Sequence, residues 1–146
     1  MIDADELRRV VADHLARRDP DTPGSVLGAG SDDIESGRAW LAFAAGHGIV
    51  TAAWPTEHGG RDADEADRAT IDDVLREFAV PDLYPYAVGL SLVAPILLDS
   101  GSDRQRARWL PGIADGSEIW CQMFSEPDAG SDLANSAARA ESHGDE

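Results

Sequence analysis

The chain has 146 residues, enough for one domain that buries roughly 70% of its unfolded surface. Its 28 acidic residues against 12 basic ones, all arginine, give a formal net charge of -16, which repels nucleic-acid phosphates and anionic membrane surfaces. The single cysteine, Cys121, leaves no internal disulfide to form and is expected to be a small buried apolar side chain.

Met1 to Glu6 carry acidic side chains where a secretory signal needs positive charge, and no apolar run approaches a membrane span. The expectation is a soluble, cytoplasmic protein. Asp3 to about Arg18 reads as an amphipathic helix with Leu7, Val10, Val11, His14 and Leu15 on one face. Asp3 followed by Glu6 has the pattern of a capping box, and Asp19-Pro20 ends the helix. His14 lies on the apolar stripe and reads as a packing residue rather than a base.

Asp19 to Gly30 is rich in proline and glycine and reads as a loop. A second helix is predicted with Ser31 as its N-cap, running through Ile34, Arg38, Leu41 and Ala45 until Gly46-His47-Gly48 stops it. Trp40 and Phe43 extend its apolar face. The connection that follows holds Trp54-Pro55-Thr56-Glu57-His58-Gly59-Gly60, a proline and glycine corner in which Trp54 is the packing anchor and Glu57 and His58 are solvated or capping groups.

A third helix is expected from about Asp64 to Ala79, with Ala66, Ala69, Thr70, Val74, Leu75 and Phe78 inward and Pro81 beyond its end. Tyr84 to Leu98 is apolar nearly all round, which predicts one or two buried helices kinked near Pro95. Gly89 and Ser91 leave room in that segment for a ligand. A last helix from Ser102 to about Ala114, capped by Ser102 or Asp103, turns Ala107, Leu110 and Ile113 inward. Its basic cluster, Arg104, Arg106 and Arg108, lacks a glycine cradle and reads as a solvated face rather than a phosphate site.

Ile119 to Phe124 then reads as a strand leading into Ser125-Glu126-Pro127-Asp128-Ala129-Gly130-Ser131-Asp132. By composition those eight residues make a surface turn, with Glu126 and Asp132 capping nearby amides. By their order they carry more. An S/T-E-P-x-A-G-S-D run after an apolar strand closely resembles the flavin-contacting loop of acyl-CoA dehydrogenases. Two further stretches resemble the same family in the same order: Trp54 to Gly60 as its W-P-x-E-x-G-G turn, and Gly101-Ser102-Asp103-Arg104-Gln105 with Trp109-Leu110-Pro111 and Gly116 as the segment before the loop.

The resemblance implies an all-α domain, a bundle of about five helices, over residues 1–118, with residues 119–146 beginning an incomplete β-domain. It implies FAD as cofactor, with Gln122, Phe124 and Ser125 facing the isoalloxazine ring and Gly130 and Ser131 near the pyrophosphate. Ser131 is also assigned to the CoA side of the substrate. Gln122 departs from the aromatic residue often found at its position. The implied reaction removes the α-proton of an acyl-CoA thioester and passes the β-hydrogen to flavin N5, leaving a trans-2-enoyl-CoA.

Partners implied are the acyl-CoA, an electron acceptor such as an electron-transfer flavoprotein, and other subunits in a homo- or hetero-oligomer. The family's catalytic base is a glutamate of a later domain, so neither Glu57 nor Glu126 is given that role, and this stretch alone is expected to be inactive. The Phe-Ser-Glu-Pro form and the Trp-Cys-Gln lead-in resemble bacterial members acting on bulky or steroid side-chain CoA esters. No His, Cys or acidic spacing indicates a metal site. Two other readings stay open: an acyl-CoA oxidase or flavin monooxygenase of the same superfamily, which rapid peroxide formation would reveal, and a non-catalytic helical interaction module in which the loop is only a turn.

Overall fold

A computed structural model of the chain describes residues 2–17, 34–123, 125–127, 129–139, 141 and 144. Five α-helices are present among them: α1 (Ala4–Leu15), α2 (Ile34–Gly46), α3 (Glu65–Leu75), α4 (Ala94–Ser100) and α5 (Asp103–Ala114). Local chemistry sets their starts. Asp3 Oδ1 accepts from the amides of Asp5 and Glu6 at 3.0 and 3.1 Å, Asp64 accepts from Asp67 at 2.8 Å, and Ser102 with Gln105 forms a reciprocal capping box on α5. The N-cap predicted at Ser31 and the stop at Asp19-Pro20 lie outside the described residues.

Two apolar cores share α2 as their dividing wall. In the first, Leu7 and Val11 of α1 meet Trp40 and Ala44 of α2 and Ile71 and Val74 of α3. His14 joins this side as a packing group, as its place on the stripe predicts: its ring stacks on Phe43 with centroids 3.9 Å apart. The second core gathers Ala94 and Leu97 of α4, Leu110, Ile113 and Ala114 of α5, and Trp54 from the connecting loop, with Ala45 of α2 packed against it. Ala44 and Ala45, adjacent in sequence, thus face different cores because one residue turns the helix by about 100°. Each fully buried aliphatic side chain contributes roughly 1.5–3 kcal/mol to this arrangement.

Three predicted features are corrected. On α3 the expected Val74 is buried, but Ile71 is buried beside it while Ala66 and Ala69 are exposed; the larger side chain takes the core position because burial gain scales with apolar area. The apolar segment before Pro95 is not buried all round. It forms a 3₁₀ turn at Tyr84–Tyr86 and a π-helical stretch at Gly89–Val93, and it leaves Tyr84, Leu92 and Ile96 exposed. The Ala94 amide reaches back five residues to the Gly89 carbonyl, so the expected kink appears as a widened turn just before the proline.

The third correction concerns 119–123, which carry no strand. A strand requires a neighbouring ladder for its amides and carbonyls. Among the described residues the only bridge is Glu126 with Ala129. Also among them, no helix is long and apolar enough to cross a membrane.

The Trp54–Gly60 corner is closed by its own bonds. Thr51 Oγ1 donates to the Gly59 carbonyl at 2.7 Å, and Gly60 N donates to the Pro55 carbonyl at 3.1 Å. A Cβ on Gly60 would lie 1.9 Å from the Trp54 carbonyl oxygen, so only glycine allows this approach. Asp62, at φ 51, accepts from the Thr56 hydroxyl and amide, and this pairing holds its carboxyl below the usual carboxylate range, the hydroxyl contributing most. Trp54 is buried as the anchor, and Glu57 stays exposed.

Candidate cofactor-binding loop

The loop that starts at Ser125 is reached through a fixed exit from α5. Gly116, at φ 73, turns the chain where a side chain would meet Leu41 Cδ1 at 2.9 Å and Tyr86 Cε1 at 3.2 Å. Arg38 Nε of α2 donates to the Gly116 carbonyl at 3.2 Å, and Glu118 returns to α5 by its amide on Gly112 O and by an ion pair with Arg108 at 2.5 Å. Trp120 then packs edge-on against Trp109, centroids 5.7 Å apart at 86°.

The ring of Trp120 occupies the space over Gly89: a Cβ there would sit 3.2 Å from Trp120 Cδ1. The room that the sequence reading reserved for a ligand at Gly89 is therefore filled by the chain itself, while Ser91 is exposed on the far side.

Beyond this anchor several of the described side chains face solvent. Cys121, Gln122 and Met123 are exposed, which corrects the expectation of a buried Cys121. Among the described residues no paired strand supplies a layer over it. Ser125, Gly130 and Ser131 are exposed too, and Phe124 lies outside the described residues. A two-residue turn brings Glu126 N to the Ala129 carbonyl at 2.7 Å and Ala129 N to the Glu126 carbonyl at 3.2 Å, with Ala129 buried beneath it.

The sequence reading of Glu126 and Asp132 as turn caps agrees with the geometry. Asp132 Oδ2 accepts from Asn135 Nδ2 at 2.6 Å. The Glu126 carboxylate accepts from Ser136 Oγ at 2.6 Å, Ala137 N at 2.7 Å and Ala138 N at 2.9 Å. These bonds, led by the Ser136 hydroxyl, hold its carboxyl below the usual carboxylate range. The extent of this clamp is what residue order alone misses. Two of the donors are backbone amides, which leave no mark in a sequence.

Gly130 differs from Gly60 and Gly116. Its φ is not positive, and a Cβ built on it would meet nothing within 4 Å. The chain's own fold makes no demand for glycine there.

Other residues considered above behave as structural groups. His58 Nε2 lies 3.6 Å from Glu57 Oε1 on the surface. Of the three arginines expected on a solvated face, Arg108 pairs with Glu118, and Arg106 is mostly covered, bonded to Asp103 at 2.7 Å and to the Leu98 carbonyl at 3.5 Å. Arg106 is thus a helix-packing residue that snorkels to its ion pair.

Comparison with known proteins places this geometry. The family described as acyl-CoA dehydrogenase, N-terminal domain, matches residues 4–117. Among curated proteins, acyl-CoA dehydrogenase IpdE1 of Mycolicibacterium smegmatis is 37% identical over 150 residues, covering 99% of this chain and 38% of the relative. Its namesake in Mycobacterium tuberculosis is 36% identical over 151 residues, covering 100% of this chain and 39% of its own. The chain therefore spans about two fifths of the length of these relatives.

Among solved structures, the ChsE4-ChsE5 complex from Mycobacterium tuberculosis matches with a TM-score of 0.58 at 28% identity, over 90% of this chain and 32% of that one. A variant of the Tcur3481-Tcur3483 steroid ACAD matches in fold with a TM-score of 0.64 at 24% identity, over 97% of this chain and 37% of that one. The chain belongs to the acyl-CoA dehydrogenase family and carries its N-terminal helical domain.

Proposed function

We propose that this chain is the N-terminal part of an FAD-dependent enzyme that dehydrogenates an acyl-CoA thioester between its α and β carbons. The observation that carries the reading is the whole-chain likeness to two acyl-CoA dehydrogenases, which runs through the loop at 125–132. The loop's chemistry is consistent with it. Exposed hydroxyls on Ser125 and Ser131 and the Gln122 amide are donors suited to ring and phosphate oxygens. Gly130 supplies a bare backbone that the fold itself does not require, as close approach of a pyrophosphate would.

The flavin, when bound, supplies the hydride acceptor. The work left to these residues is to bind and orient it. The Glu126 carboxylate is engaged by three donors of its own chain and serves the loop's shape rather than the cofactor directly. Ser131 is assigned to the CoA side as well. No residue described here is given the role of the base that takes the α-proton. The substrate class we assign is a bulky, steroid-type acyl-CoA, in line with the name "steroid ACAD" carried by one structural neighbour. We assign a second subunit in line with the two-protein ChsE4-ChsE5 complex, and an electron-transfer flavoprotein or similar acceptor as oxidant.

The test is the visible spectrum of the native-length protein purified without added cofactor, followed by anaerobic addition of a panel of acyl-CoA esters. Flavin bands that bleach with a steroid-type ester are the expected result. A colourless protein that FAD does not reconstitute overturns the proposal, and rapid peroxide formation in air would move it to an oxidase.

A further inference from the structure

The Glu126 carboxylate is the most heavily used polar side chain in the loop region. Oε1 accepts from Ser136 Oγ and Ala138 N, and Oε2 accepts from Ala137 N. Its backbone at the same time closes the turn with Ala129. One residue therefore fixes two things: the tight turn in front of Gly130 and Ser131, and the return of the chain ten to twelve residues later. Everything assigned to the flavin beyond Ser125 lies inside this closed loop. Asp132 adds a smaller internal tie through Asn135.

We propose that Glu126 is a positioning residue for the flavin: its carboxylate clamps residues 136–138 to the turn and so holds Gly130 and Ser131 in a single shape before the cofactor arrives. This rests on the flavin reading above. Three physical arguments support it. A loop held in its bound shape does not lose conformational entropy on binding. The clamp is made of hydrogen bonds to a charged acceptor, the stronger kind. And three of the carboxylate's roughly four acceptor directions are taken by the chain's own donors, which turns the carboxylate toward residues 136–138 and sets it to orient the loop.

Side-chain length matters to this role. Aspartate, one methylene shorter, cannot reach all three donors from the same backbone position. Glutamine keeps the length but sets an NH₂ group against the Ala137 or Ala138 amide, leaving two donors facing each other. Ser136→Ala removes one tie and leaves the carboxylate in place.

The experiment uses the native-length protein with any subunit that co-purifies, stripped of flavin and titrated with FAD, following the visible band shape and flavin fluorescence. Glu126→Ala is expected to weaken FAD binding about tenfold or more, and Ser136→Ala by a smaller factor. Glu126→Gln and Glu126→Asp fall between wild type and Glu126→Ala. The bound flavin of Glu126→Ala is expected to lose band structure and show stronger fluorescence, a change that a general loss of stability does not produce in protein that remains folded by circular dichroism.

Wild-type protein that binds FAD alongside Glu126→Ala and Ser136→Ala that bind it equally well would overturn the inference and leave the flavin reading intact. Wild-type protein that takes no FAD would overturn the flavin reading itself. Should Glu126→Ala fail to fold, the Ser136→Ala titration decides.

Discussion

Two glycines in this chain sit in opposite physical settings, and substituting each by alanine separates them. At Gly116 the backbone sits at φ 73, which costs an L-residue about 1–2 kcal/mol. The new Cβ would also lie 2.9 Å from Leu41 Cδ1 and 3.2 Å from Tyr86 Cε1, and these side chains, 0% and 2% exposed, have no free space to move into. Overpacking of this kind costs about 1–3 kcal/mol. The sum, about 2–5 kcal/mol, is a large part of a typical domain's stability.

At Gly130 neither term applies, so Gly130→Ala should change stability by less than about 0.5 kcal/mol while weakening FAD binding. Urea unfolding followed by far-ultraviolet circular dichroism reads the contrast. With a slope of about 2 kcal/mol per molar, Gly116→Ala should lower the midpoint by about 1–2.5 M and Gly130→Ala by almost nothing. Equal midpoints for the two variants would refute the reasoning, and so would a Gly116→Ala protein as stable as wild type.

Removing the Tyr86 hydroxyl, which donates to the Ile34 carbonyl at 2.7 Å, should cost about 1 kcal/mol in Tyr86→Phe, read by the same unfolding experiment. Ser102→Ala should cost about 1 kcal/mol by opening the capping box with Gln105, and hydrogen exchange should show faster amides confined to the first turn of α5. Asp62 titrates at a lower pH in the folded chain than when unfolded, since Thr56 favours its charged form. Its contribution is therefore present above the ordinary carboxylate range and lost as pH falls through the lowered value. Asp62→Asn should trail wild type in stability at neutral pH and converge with it in acid as pH falls through the lowered value; a gap independent of pH would contradict this.

Helix starts were legible in the sequence because a cap is a local matter between a side chain and amides two or three residues ahead, as at Asp3, Asp64 and Ser102. The apolar stripes of α1 and α2 followed from periodicity, and so did that of α5 at Leu110 and Ile113, whereas Ala107, expected inward with them, is exposed. The inward face of α3 was legible at Val74, with Leu75 and Phe78 packed beside it, but Ala66 and Ala69 are exposed and the larger Ile71 takes the remaining core position. Periodicity also has no term for a π-helical turn such as the one at Gly89–Val93. The family and the order of its three motifs were readable because residue identity carries them. The Glu126 clamp and the exposure of Cys121 were not, because one depends on backbone donors far along the chain and the other on what does or does not cover a segment.

The partition by α2 also bears on how this sequence drifts over generations. Ala44 looks toward the α1 and α3 side, Ala45 toward α4, α5 and Trp54, and Trp120, which leads into the 125–132 loop, packs on the second side. Substitutions that repack Leu7, Val11 or Ile71 are separated by a helix from the groups that seat Trp120, so their effects should add to those of changes around the loop rather than multiply them. Repacking one half of the domain should therefore leave the exit to the loop in register.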